Sequence, residues 1–222
     1  MTCLCAPLLD AGFAVHNLSY HSRSGSIEAQ VKAVSPRLEQ LLKNHPRLHA
    51  VTHSLGGIIF RAWLSQNALP AGCRAVLLAP PNGGSEVASR YRARLWYRTA
   101  TGPAGQQLVL ESALLKALPK PSCDVAVIAG TRSSDPWFNH LFSGPHDGKV
   151  SVESTKLVGM RDHLEVACGH TFIMRDQLVQ QAIVRFLCHA EHKERSESGL
   201  SFCEPTHSTR SRRIRHKCLV LS

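Results

Sequence analysis

Ser54 lies in Val51-Thr52-His53-Ser54-Leu55-Gly56-Gly57, between a short apolar run and an amphipathic one. A serine hydroxyl becomes a nucleophile when a base takes its proton, and the base needs an acid to orient it. Both partners occur later in the chain. His170 stands in Cys168-Gly169-His170-Thr171-Phe172, and Asp147 in Pro145-His146-Asp147-Gly148-Lys149-Val150. Three such groups brought together would support covalent attack of the serine on an acyl carbonyl. The bland alternative is that Ser54 merely caps a helix, as serines between small residues often do.

The elements flanking these residues decide between the two readings. Leu48-His49-Ala50-Val51 reads as the end of a buried strand, and Leu55, Ile58, Ile59, Ala62 and Trp63 recur at helical spacing. Ser54 would then sit on a sharp strand-to-helix turn, its hydroxyl presented at the end of a sheet. The N–H groups opening the helix would face an oxyanion there. Gly56 and Gly57 supply the small residues such a turn needs. The first glycine of the usual G-x-S-x-G is Thr52 here, which fits if that position stays extended.

The remaining chain alternates between the two periodicities. Phe13–Leu18 reads as a strand and Ser26–Lys43 as a helix that Pro36 kinks or restarts. Ala75–Ala79 and Cys123–Gly130 are strands, and Leu164–Cys168 is the last, followed by a helix over Arg175–His189. Alternation of this kind implies right-handed crossovers, a mainly parallel sheet and three layers, an α/β fold. The stretch 85–120 breaks the rhythm, with a short apolar helix expected around Leu108–Leu118. It reads equally as a cap over a pocket or as a structural excursion.

In a parallel sheet the base and acid must come from loops at the carboxyl ends of later strands. His170 follows the last strand directly, whereas His163 begins it and would lie at the opposite edge. His53 reads as a packed or hydrogen-bonded histidine. Asp135 and Glu153 rival Asp147 as the acid; Asp147 ranks first because its loop carries a turn glycine.

Composition sets the outer bounds. With 222 residues and 43% hydrophobic content the chain suits a single soluble domain. No run approaches the ~18 apolar residues of a membrane span. The N-terminus lacks a basic lead and meets Asp10 early, so a cytoplasmic protein is expected. Eight scattered cysteines with no CxxC pair read as free thiols rather than as a zinc site. The net charge of +10 comes partly from Arg90, Arg92, Arg94 and Arg98 among Tyr91, Trp96 and Tyr97. A second group is Arg210, Arg212, Arg213, Arg215 and Lys217. Neither carries a nucleic-acid-binding signature, so a solvated helix face and a basic tail are the expectations.

Four motifs together carry a resemblance: Thr52–Gly57, Pro81-Asn82-Gly83-Gly84-Ser85, Asp147-Gly148-Lys149-Val150-Ser151 and His170-Thr171-Phe172-Ile173-Met174. Over residues 3 to 188 the chain resembles the bacterial lipase/esterase-like α/β-hydrolases, often described as predicted acetyltransferases and hydrolases of that fold. The resemblance implies a three-layer α/β-hydrolase domain over 1–190, within which 85–120 stays a candidate cap. Ser54 would be nucleophile, Asp147 acid, His170 base, and the Leu55 N–H an oxyanion donor, with no metal or cofactor. Relatives open on a central strand ending in a His-Gly loop, which gives the second oxyanion donor; no His-Gly pair precedes Ser54. The resemblance therefore implies a domain lacking that strand, and a foreign basic tail over 191–222 without regular structure.

Three functions compete on these grounds. The first is a serine hydrolase acting on a small-molecule ester or lipid, with acyl transfer to an acceptor other than water as a variant. The second is a degenerate, weakly active or inactive member lacking the oxyanion loop. The third is a non-enzymatic module binding an anionic ligand. Neither nucleic-acid binding nor membrane insertion is expected, and oligomeric state is not readable.

Overall fold

A computed structural model of the chain describes residues 1–45, 47–133, 135–197 and 216–221, apart from the side chains of 189–197. Its elements run α1 (Cys5–Asp10), β1 (Ala14–Leu18), α2 (Ile27–Asn44), β2 (Leu48–His53), α3 (Leu55–Leu64) and β3 (Arg74–Leu78). Then come α4 (Glu86–Tyr91), α5 (Leu95–Gln107), α6 (Ala113–Ala117), β4 (Asp124–Gly130), α7 (Val152–Thr155), β5 (Asp162–Val166), α8 (Gln177–Glu197) and β6 (Lys217–Leu221). The six strands form one sheet in the order β1-β6-β2-β3-β4-β5, every neighbouring pair parallel.

The four inner strands β6, β2, β3 and β4 are almost wholly buried, as a sheet covered on both sides requires. On one face Val51, Val76, Leu78, Ile128 and Val220 pack with Leu4 and Leu8 near α1 and with Val179, Ile183 and Leu187 of α8. On the other, Ala50, Leu77, Val127, Leu219 and Leu221 meet Val34 and Leu38 of α2 and Ile59, Phe60 and Trp63 of α3. This gives the three layers of the α/β expectation. No described helix is long and apolar enough to cross a membrane.

Three local expectations change. Pro36 does not restart a helix, since α2 runs through it. Ser26 caps that helix by accepting from the Ala29 N–H at 3.3 Å. In place of one apolar helix around 108–118, α5 covers Leu95–Gln107 with a break at Gly102 (φ 67°), and α6 is confined to Ala113–Ala117. A side chain at Gly102 would collide with the Arg23 backbone, so α5 lies directly against the β1–α2 loop. The expected structureless tail gives way at both ends. α8 extends to Glu197 and Lys217–Leu221 form β6, while residues 198–215, with Arg210, Arg212, Arg213 and Arg215, lie outside the described residues.

β6 also corrects the expectation of an absent central strand. It is inserted between β1 and β2, pairing Ala14–Leu18 on one side and Leu48–Thr52 on the other. The position between β1 and β2 is thus occupied by residues 217–221, and the backbone groups of β1 and β2 find their partners there.

Candidate active site

Ser54 stands between the last residue of β2 and the first of α3, with φ 52° and ψ −124°. That is a left-handed conformation, costing a non-glycine residue of order 1–3 kcal/mol. The surroundings hold it: the Ser54 N–H donates to Leu78 O at 2.9 Å, and Ser54 O accepts from Gly57 N at 2.9 Å. Glycine is needed after it for space. A Cβ at Gly56 would lie 3.0 Å from Leu221 O, and one at Gly57 would lie 3.2 Å from Pro80 Cβ. Thr52 remains extended within β2 and fully buried.

His170 begins a short 3-10 turn just past β5, and its Nε2 lies 2.9 Å from Ser54 Oγ. Its Nδ1 lies 2.7 Å from Asp147 Oδ2. An ionised Asp147 can only accept, so Nδ1 carries the proton and Nε2 is left free to accept from the serine. The other carboxylate oxygen, Oδ1, accepts from Lys149 N at 2.9 Å and Val150 N at 2.8 Å. Asp147 is fully buried and His170 nearly so. Burial pushes the Asp147 carboxyl up, but the facing imidazole and these hydrogen bonds outweigh it and hold the pKa below its ordinary value.

Four further features brace this geometry. Gly130 ends β4 where a side chain would collide with Cys168 O and lie 2.8 Å from Asp147 Cβ, so the acid and base loops both close on one strand end. Ser85 donates its hydroxyl to Lys149 O at 2.7 Å, tying the Pro81–Ser85 loop to the acid loop. Buried Arg61 donates to Asn82 Oδ1 at 2.9 Å, and Asn82 Nδ2 donates to Thr155 O at 2.7 Å. His53 bonds through Nε2 to the His170 carbonyl at 2.9 Å; burial first, and the neighbouring His170 second, push its pKa down to about 3.

The rival groups stay apart from this series. His163 bonds Thr155 Oγ1, Glu153 pairs with Lys156, and Asp135 lies against Gly148. The Leu55 N–H opens α3, where a helix leaves its first donors without intrahelical acceptors.

A cavity of about 520 Å³ opens over Ser54 and His170, walled by Leu55, Val87, Trp96, Tyr97, Leu108 and Phe138. The 85–120 segment thus supplies much of its apolar wall. Tyr97 is buried there, while Arg92, Arg94 and Arg98 are exposed. Tyr20 and Arg23, from the loop after β1, also line it. Neither was singled out from sequence; the only signal available was their place just past a strand's carboxyl end.

Solved structures resembling the chain share this frame. The mature form of Bacillus licheniformis lipase BlEst2 superposes with a TM-score of 0.61 at 16% identity, over 73% of this chain and 74% of that one. The fold is the α/β-hydrolase fold. Legionella pneumophila phospholipase PlaB gives 0.56 at 16% identity, over 84% of this chain and 57% of its own, so this chain spans little more than half its length. A metagenomic carboxyl esterase gives 0.54 at 13% identity, over 83% and 76%. No family model and no curated protein matches the chain. Within the α/β-hydrolase fold, Ser54, Asp147 and His170 all lie at the carboxyl edge of the sheet, where ligands of open α/β sheets bind.

Proposed function

We propose that this protein hydrolyses carboxylic esters through an acyl-enzyme on Ser54. One observation carries the reading: Ser54 Oγ, His170 and Asp147 form an unbroken hydrogen-bond series, 2.9 and 2.7 Å long, at the floor of an apolar cavity. In the first half-reaction Ser54 Oγ attacks the ester carbonyl carbon and its proton passes to His170 Nε2. Asp147 steadies the imidazolium that results. The carbonyl oxygen becomes an oxyanion facing the Leu55 N–H. The C–O bond to the alcohol then breaks, and the departing alkoxide takes the proton from Nε2. Water, deprotonated by His170, attacks the acyl-serine in the second half-reaction and releases the acid and the free serine. An acceptor alcohol in place of that water would make the outcome acyl transfer.

The cavity's apolar walls suit the acyl part of the substrate. The names of the structural relatives (a lipase, a phospholipase and a carboxyl esterase) agree with an ester or lipid as substrate. The test is a fluorophosphonate probe, which labels an activated serine without knowledge of the substrate. Wild type is expected to label, and Ser54→Ala and His170→Ala to lose the label. A folded wild type that takes none would overturn the reading and leave a degenerate hydrolase.

A further inference from the structure

A tetrahedral oxyanion at Ser54 can accept more than one hydrogen bond, and the Leu55 N–H supplies one. What lies beside that donor is unusual. The neighbouring strand is β6, and its Leu221 carbonyl points at the first turn of α3, 3.0 Å from the position of a Cβ at Gly56. A carbonyl oxygen is an acceptor and would repel an oxyanion. Any second donor has to reach the site from another element.

Tyr20 is placed to do so. It lies two residues past β1, and its ring packs in the cluster that holds Leu18, Leu55 and Leu221. From there it spans the carboxyl end of β6, and its hydroxyl stands 3.6 Å from the same Cβ position at Gly56. The side chain lines the cavity shared by Ser54, Leu55 and His170. Its hydroxyl makes no hydrogen bond to any described residue. A half-buried phenol next to the helix turn that receives the oxyanion is thus a donor with no acceptor among the described residues.

We propose that the Tyr20 hydroxyl donates to the oxyanion opposite the Leu55 N–H, making Tyr20 a catalytic residue. Burial raises the phenol well above its ordinary pKa, so the proton stays on oxygen throughout the working pH range. No proton leaves Tyr20 during the cycle; the hydrogen bond forms as the carbonyl becomes tetrahedral and relaxes when it collapses. The inference rests on the ester-hydrolase reading above.

The test compares wild type with Tyr20→Phe on p-nitrophenyl butyrate, with a trifluoromethyl ketone as a probe that adds to the serine as an oxyanion. Loss of one oxyanion donor lowers kcat by about 10²–10³. Tyr20→Phe is therefore expected to lose that factor in kcat, keep KM within about twofold, and weaken the ketone's inhibition by a comparable factor. Tyr20→His, which restores a ring donor, is expected to recover part of the loss. Circular dichroism melting controls for folding. Unchanged kcat and unchanged ketone affinity in Tyr20→Phe would overturn the proposal and leave the hydrolase reading standing. A loss matched by a fall in melting temperature, with no selective effect on the ketone, would also overturn it. If wild type neither turns over the ester nor takes the fluorophosphonate, the hydrolase reading falls and the role of Tyr20 falls with it.

Discussion

Asp147 grips His170 twice. Its carboxylate accepts from the ring Nδ1–H at 2.7 Å, and its backbone carbonyl accepts from the His170 N–H at 3.0 Å. The first bond fixes the tautomer and the second fixes the position of the loop that carries the ring. Substitution at the carboxylate separates the two. In Asp147→Asn the backbone bond survives but the side chain can donate to Nδ1, favouring the tautomer whose Nε2 cannot accept from Ser54. On the order of a 10⁴-fold loss of kcat is expected, with little change in KM. Ester turnover measured beside the melting temperature checks this; a loss under tenfold would show that the bond is not needed.

Acid should destabilise the fold through histidines held neutral. His49 is buried between β6 and β3, its Nδ1 accepting from Arg74 N at 3.1 Å. Burial first, then His216, Arg74 and Arg47, push its pKa from 6.5 down to about 4. The unfolded chain therefore binds the proton first. Stability is complete above pH 6.5 and falls between about 6.5 and 4, at no more than ~1.4 kcal/mol per pH unit for this one group. His16 and His53 are shifted in the same direction and add to the slope. Urea unfolding at pH 7.5 and pH 5 should give a lower midpoint at pH 5. His49→Asn, which keeps an acceptor without the titration, should narrow the difference.

Gly130 is expected to resist even the smallest side chain. Its added Cβ would meet Cys168 O and Asp147 Cβ, backbone and near-backbone atoms that cannot rotate away. Gly130→Ala should cost about 1–3 kcal/mol as overpacking and move the acid and base loops apart. Activity should drop by about tenfold or more, since small misplacements of catalytic groups are costly. Kinetics and denaturant melts on one preparation would show whether the two losses occur together.

Leu219, fully buried in β6 against α2 and α3, tests whether that strand belongs to the core. Leu219→Ala should destabilise by about 2–5 kcal/mol in urea unfolding, the range for buried leucines. An effect below about 0.5 kcal/mol is what a peripheral tail would give.

Much of this was legible in the residues. The short stretches Leu48–Val51, Ala75–Ala79 and Cys123–Gly130 are apolar enough to mark buried strands, and they form within Leu48–His53, Arg74–Leu78 and Asp124–Gly130. The periodicity after Ser54 marked α3. Asp147 and His170 were reachable because parallel topology sends useful loops to one edge; His170 lies against Ser54 and Asp147 against His170. β6 was not legible. Only Cys218-Leu219-Val220-Leu221 is apolar, it follows a stretch of Arg and Ser, and its two partners lie far away in sequence. Strand pairing of that kind leaves no local signature. Tyr20 was hidden for a similar reason: Ser19-Tyr20-His21-Ser22 reads as an ordinary polar loop until the end of β6 lies beneath it. The break in α5 was foreshadowed by Gly102-Pro103, but its cause, the Arg23 backbone pressed against Gly102, is a tertiary contact.

The order in which the strands are made has a consequence for biosynthesis. β1 and β2 leave the ribosome early, yet the strand that joins them, Lys217–Leu221, follows every other described element. Until it arrives, each presents a bare edge of N–H and C=O groups, which is a template for association with other chains. Sheet closure over so long a sequence separation is slow by its topology. Until Lys217–Leu221 is made, β1 stands apart from the four-stranded β2-β3-β4-β5 sheet, a state that invites chaperone capture.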